Sequence, residues 1–265
     1  MTLENKKREK TKQKIFLFFL FLLLIAIDYP FIDKALKDFV DDYEMGVVEK
    51  ITDGDTIVVN GSNVRLLGIN TPERGEKYYR EAKSFLESEI LNKAVKLART
   101  QEDEDMYGRK LRYVILENKN INEKLIRQGL ANAYFPSGKD KNYNSFMGAW
   151  QDCLDSGQGL CEKSGDYCGR CIKIRELSPE SDEIILENNC KFYCSIENWT
   201  LKDEGRKNFM FKNFILEKEV TIKIGNGTDS KNTLFWGGED YVLTRNGDSI
   251  FLRDKENMLV DWKNY

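Results

Sequence analysis

The sequence contains no histidine. That absence removes Ser-His-Asp and Cys-His catalysis, imidazole acid–base chemistry and HExxH zinc sites together. What remains is Asp/Glu, Lys/Arg, Tyr, Cys, or a metal held by oxygen or sulfur. A basic surplus is also missing: 41 Lys and Arg stand against 44 Asp and Glu. Six of those cations (Lys6, Lys7, Arg8, Lys10, Lys12, Lys14) crowd the extreme N-terminus, so the rest of the chain is acidic. A chain of this charge meets a polyanion through a local basic site, not through a general field. Low-complexity segments and internal repeats are absent. No cysteine precedes Cys153.

The 265 residues exceed one typical domain and suggest two. After the basic cluster comes an uncharged apolar run, Ile15 to Ile27. Its length suits a signal-type segment. No A-x-A-like cleavage site follows, so residues 15–27 are expected to be an uncleaved anchor in the cell membrane. The basic end then stays inside, and the domains beyond are extracytoplasmic. The alternative, cleavage and secretion, also exports the chain. Export fits the even cysteine count, which reads as disulfides. The six are Cys153, Cys161, Cys168, Cys171, Cys190 and Cys194. Zinc is the rival, but only Cys168-x2-Cys171 has tight knuckle spacing. Pairing within the first four stays open, and Cys190 with Cys194 is expected to form a local bridge.

Residues 1–44 are expected to be anchor plus linker, with a short helix bearing Phe31, Leu36 and Phe39. From Gly46 the pattern is strand-like, with Asn60-Gly61 as a hairpin signal. Ala82, Phe85, Leu86 and Ile90 recur at helical spacing. Strands follow at Ala94–Thr100 and Lys110–Leu116, then a helix capped by Asn122 and a last helix from Tyr143 to Leu154. That order predicts a five-stranded OB-type barrel with packed helices over 45–162. Residues 163–171 form a Cys-containing linker. Short strands from Ile172 onward, separated by turn signals, predict a β-sandwich over 172–265. They include Ser195–Leu201 and Tyr241–Leu243.

The densest chemistry lies in VVEKITDGDTIVVNGSNVRLLGINTPE, residues 47–73. Asp53 and Asp55 flank a glycine turn, and carboxylates with carbonyl and amide oxygens suit Ca²⁺ or Mg²⁺. Arg65 stands alone in an apolar strand and needs a partner, because an unpaired buried charge is costly. Glu73 lies in the turn beyond that strand. Arg109 lies in a second glycine turn, after Asp105-Met106-Tyr107-Gly108. Two arginines, a glutamate and a metal site suffice for phosphodiester hydrolysis without histidine.

The string DGDT…RLLGINTPE, then Asp105-x-Tyr107-Gly108-Arg109, then Asn122-Glu123-x-Leu125-x-Arg127-x-Gly129-Leu130-Ala131, resembles the thermonuclease (staphylococcal nuclease-like) family. The resemblance implies a calcium-dependent OB-fold phosphodiesterase acting on DNA and RNA. It implies Arg65 and Arg109 as phosphate-binding arginines and Glu73 as general base. Asp55, Asn70 and the Thr71 carbonyl become metal ligands, and Tyr107 and Tyr134 nucleic-acid contacts. Two positions depart from the family pattern: Asn70 replaces an aspartate, and Met106 a lysine. Trp199-Thr200-Leu201-Lys202-Asp203 and Asn246-Gly247-Asp248-Ser249-Ile250-Phe251-Leu252 resemble the lamin tail domain family. That resemblance implies an Ig-like accessory module for targeting or attachment, its partner unknown. The expectation is a membrane-anchored or secreted nuclease. The rival keeps the same two domains as a catalytically weak nucleic-acid-binding or envelope-attachment protein.

Overall fold

The computed structural model describes residues 14–20, 43–100, 102–239 and 241–265. Residues 14–20 are helical, and Ile15 to Leu20 are exposed. The rest of the apolar run and the expected helix bearing Phe31, Leu36 and Phe39 lie outside the described residues. Among the described residues no helix is long and apolar enough to cross a membrane.

Five strands close into a barrel. They are β1 (Tyr43–Ile51), β2 (Thr56–Val59), β3 (Ser62–Leu66), and, after the short β4 (Ile69–Asn70) and helix α1 (Tyr79–Ile90), β5 (Ala94–Ala98) and β6 (Lys110–Leu116). Their order is β3-β2-β1-β5-β6, and β3 pairs in parallel with β6 to shut the cylinder. Asn60 and Gly61 both take positive φ, 48° and 73°, the left-handed pair that a two-residue hairpin requires. The alternation of side chains along the strands puts Val48, Ile57, Val59, Val64 and Leu66 inside. Helix α1 covers the barrel with Ala82, Leu86 and Ile90, spaced one turn apart.

Beyond the short β7 (Lys119–Asn120), helix α2 (Ile121–Arg127) is capped by Asn120, not Asn122. Asn120 accepts from the amides of Asn122 and Glu123. Asn122 is fully buried instead. It accepts from Val114 N at 3.0 Å and donates to Leu67 O at 2.8 Å, stitching the barrel to the loop behind the site. The short β8 (Asn132–Ala133) pairs with β4. Helix α3 (Tyr143–Ser156) follows and buries Phe146, Ala149, Trp150 and Cys153.

The remaining strands form two four-stranded sheets and one small pair. The first sheet runs β16-β15-β10-β9, from β9 (Ile172–Ser178), β10 (Glu183–Asn188), β15 (Glu219–Ile224) and β16 (Thr233–Trp236). The second runs β13-β12-β17-β18, from β12 (Thr200–Lys202), β13 (Asn208–Met210), β17 (Ser249–Arg253) and β18 (Leu259–Asn264). The pair is β11 (Cys194–Ser195) with β14 (Ile215–Leu216). Ile174, Leu186 and Ile222 from one sheet share a core with Leu201, Ile250 and Leu252 from the other, and with Trp199, Phe211 and Trp236. The expected strand Ser195–Leu201 is broken in two, because Asn198 takes a left-handed φ of 62°. Tyr241–Leu243 is not a strand. Val242 and Leu243 are buried from a loop, and Thr233–Trp236 pairs in parallel with β15 in their stead.

All six cysteines are in disulfides: Cys153–Cys161, Cys168–Cys194 and Cys171–Cys190. The expected Cys190–Cys194 bridge is therefore corrected. Their sulfurs lie side by side, 3.5 Å apart, and each bonds across to the one-turn helix Cys168–Arg170 or its end. That arrangement leaves no thiolate for zinc.

Candidate active site

Strand register assembles the site. Thr56 stands opposite Arg65 across β2–β3, and Arg65 stands opposite Leu111 across β3–β6. Asp55 precedes Thr56, and Arg109 lies two residues before Leu111. All three therefore reach the same mouth of the barrel. Arg65 Nη2 meets Asp55 Oδ2 at 3.0 Å. Its remaining donors hold Leu66 O at 2.7 Å and Ile69 O at 2.9 Å, which fixes the guanidinium against the turn. Burial pulls the Arg65 pKa down, Asp55 opposes that, and the nearby charge of Arg109 adds to the fall.

Arg109 is aimed by its own turn. Its Nε lies 2.7 Å from Asp105 Oδ2, and its backbone N–H donates to Asp105 Oδ1. Nη1 reaches Thr56 Oγ1 at 3.3 Å. Tyr107 is exposed, with its ring 5.4 Å from the Arg109 guanidinium carbon, a cation–π arrangement. Behind this turn the fully buried Arg112 meets Asp103 Oδ1 at 2.7 Å. Tyr134 is half-buried, and its N–H donates to Gly68 O. Burial first, and then Glu204, raise the Tyr134 hydroxyl pKa, against the pull of Arg65.

The acidic side is equally tight. Thr56 Oγ1 donates to Asp55 Oδ1 at 3.0 Å, and Asp55 N donates to Asp53 Oδ1 at 3.2 Å. Burial, then the charge of Asp55, raise the Asp53 pKa. A Cβ on Gly54 would lie 2.7 Å from Thr71 Oγ1, so the Asp53-Gly54-Asp55 turn rests directly on the buried Thr71. Crowded carboxylates beside hydroxyl, carbonyl and amide oxygens match a hard divalent cation in donor type. Among the described residues no three acidic or thiol side chains surround one point, so carboxylate donors are limited to this pair.

Glu73 is exposed in the turn after Pro72, and its contacts lie with Glu76 and the hairpin. Its backbone N–H donates to Glu76 Oε2 at 2.8 Å. Its carboxylate meets Arg206 of the β12–β13 hairpin at 2.8 Å. Asn70 is buried, and its Nδ2 donates to Gly205 O of the same hairpin at 2.8 Å. Glu204 accepts from Phe135 N at 3.3 Å. Sequence reading singled out Asp55, Arg65 and Arg109, which the structure brings together, but not Thr56 and Asp105, which hold them, nor the hairpin, whose Gly205 lies 135 residues from Asn70.

Residues 63–160 match the family described as staphylococcal nuclease homologue. The chain is 36% identical to the thermonuclease of Staphylococcus intermedius over 108 residues, covering 37% of this chain and 64% of that protein. It is 38% identical to the thermonuclease of Staphylococcus hyicus over 98 residues, covering 33% and 58%. It is 32% identical to endonuclease YncB of Bacillus subtilis over 142 residues, covering 48% and 67%. The chain thus spans somewhat less than two thirds of the two thermonucleases it matches.

Proposed function

Because this chain belongs to the staphylococcal nuclease homologue family, we propose that its barrel site hydrolyses phosphodiester bonds of DNA or RNA. The observation that carries this reading is the convergence of Arg65, Arg109 and Asp55 at one barrel mouth. Arg65 and Arg109 bind phosphate oxygens and oppose the charge that grows in the transition state. Glu73 accepts the proton of the attacking water. Tyr107 and Tyr134 flank the arginines, where a ring can stack on a base. Asp53, Asp55, Asn70 Oδ1 and the Thr71 carbonyl would hold a divalent cation, Ca²⁺ by donor type. Such a cation polarises the phosphoryl group.

The same proposal places the protein outside the cytosol, held by residues 15–27 or released. The support is that all six cysteines are paired, as oxidising compartments favour. The C-terminal sandwich is read as a lamin tail-like, Ig-like module that targets the nuclease. A second reading, binding without cleavage, is favoured by Arg206 sitting on Glu73 and by the amide at position 70. The deciding assay is single-stranded DNA cleavage with Ca²⁺ and with EDTA. Arg65→Ala and Glu73→Ala are each expected to lower the rate by roughly 100-fold or more. Unchanged cleavage by either variant removes that residue from the mechanism, and no cleavage by the wild type selects the binding reading.

A further inference from the structure

The hairpin between β12 and β13 is held at the site by two part-buried bonds and one exposed ion pair. Asn70 donates to Gly205 O, Glu204 accepts from Phe135 N, and Lys202 meets Glu76 at 2.7 Å. Within the loop, Lys207 N donates to Asp203 Oδ1. Arg206 lies between these anchors and differs from them. It is 71% exposed, and its recorded partner is the half-exposed Glu73. An exposed ion pair of this kind contributes about 0–1 kcal/mol and exchanges readily. A guanidinium binds phosphate through two parallel bonds, in the same fork geometry that it offers a carboxylate.

We propose that Arg206 is a substrate-binding residue that the sandwich lends to the barrel: it rests on Glu73 and transfers to a phosphate of the bound strand. The inference rests on the nuclease reading above and extends it. Its chemistry is coupled to that of Glu73. Transfer of Arg206 to the phosphate leaves the Glu73 carboxylate free to accept a proton, so the base is unmasked as the strand arrives. The anchors keep the loop in reach while the side chain moves. Asn70 also gains a reason. An aspartate there would set a carboxylate oxygen against Gly205 O, whereas the amide donates to it.

The test measures binding of a fluorescent single-stranded DNA to the full-length protein in EDTA, across a salt series, so that cleavage plays no part. Arg206→Ala is expected to weaken binding several-fold and to reduce the log–log salt slope by about 0.7, the loss of one phosphate contact. Arg206→Lys is expected to restore the slope but only part of the affinity. Lys212→Ala, an exposed cation beyond the same hairpin, is expected to leave both unchanged. An Arg206→Ala slope equal to the wild type overturns the proposal, as does tighter binding, which would make Arg206 a shield on Glu73. A wild-type protein that neither binds nor cuts the strand fails the nuclease reading itself. One that does both, with the slope unmoved in Arg206→Ala, fails only this inference.

Discussion

The barrel meets the sandwich along two stretches of opposite chemistry. On one, Trp150 of α3 packs edge-on against Phe251 and Trp262, with ring centroids 5.4 and 5.8 Å away. The buried Arg253 of β17 donates to Leu160 O beside them, and burial lowers its pKa to about 10, still a cation at neutral pH. On the other stretch the contacts are polar and several are open to water: Asn70 to Gly205, Glu73 to Arg206, Glu76 to Lys202. The first is dry and, apart from the Arg253 bond, apolar, so most of its stabilisation follows area removed from water. The second is made of single bonds that water and ions compete for. The sandwich is thereby fixed at a distance from the chemistry and left adjustable next to it.

Breaking the dry stretch should cost most. Trp150 is 2% exposed, and Trp150→Ala is expected to destabilise by about 3–5 kcal/mol. Urea unfolding followed by tryptophan fluorescence measures it. A loss well under about 1 kcal/mol would mean that the aromatic contact does not hold the halves together. On the polar stretch, Asn70→Asp is expected to cost about 1–3 kcal/mol, because two acceptor oxygens would face each other. The same change should tighten Ca²⁺ binding by adding a charge to the donor set. Isothermal titration and thermal melts read the two effects, and they should move in opposite directions. Equal stability in both proteins would show that the hairpin does not depend on the Asn70 amide.

The third effect concerns pH. Glu204, Asp203 and Asp248 lie along the polar stretch together with Lys202 and Lys207. Burial raises Glu204 to about 8, Asp248 to about 7 and Asp203 to about 6. In the unfolded chain these carboxyls lose their protons near the ordinary value, roughly pH 4. Between roughly pH 4 and 8 the folded state therefore binds more protons, and stability from these groups falls as pH rises through that window. Glu204→Gln keeps the acceptor for Phe135 N and removes the charge. It is expected to raise the melting temperature at pH 8 and to change it little at pH 5. An equal shift at both pH values would dissociate Glu204 from the pH dependence.

Much of the barrel was legible because its signals are local. Asn60-Gly61 dictates a hairpin, and a hairpin with a known loop length fixes the register that brings Asp55 to Arg65. The lone charge of Arg65 in an apolar strand announced a partner, and Asp55 is that partner. Three features were not legible. Asn120 and Asn122 both suit a cap, and only burial decides that Asn122 serves the core instead. Cysteine pairing depends on which turns face each other, so spacing alone favoured a local bridge that folding does not make. The loop Asp203-Glu204-Gly205-Arg206-Lys207 reads as an ordinary charged turn. Its place at the site rests on the pairing of β12 with β17 and on bonds to Asn70 and Phe135, all distant in sequence.

The bond from Asn70 to Gly205 also has a hereditary side. A descendant that lost residues 172–265 would keep an amide shaped for an absent carbonyl. A descendant that acquired an aspartate at position 70 is expected to push away the hairpin it already owns. Each change alone is expected to carry a cost, so one side-chain atom ties the barrel to the hairpin in inheritance.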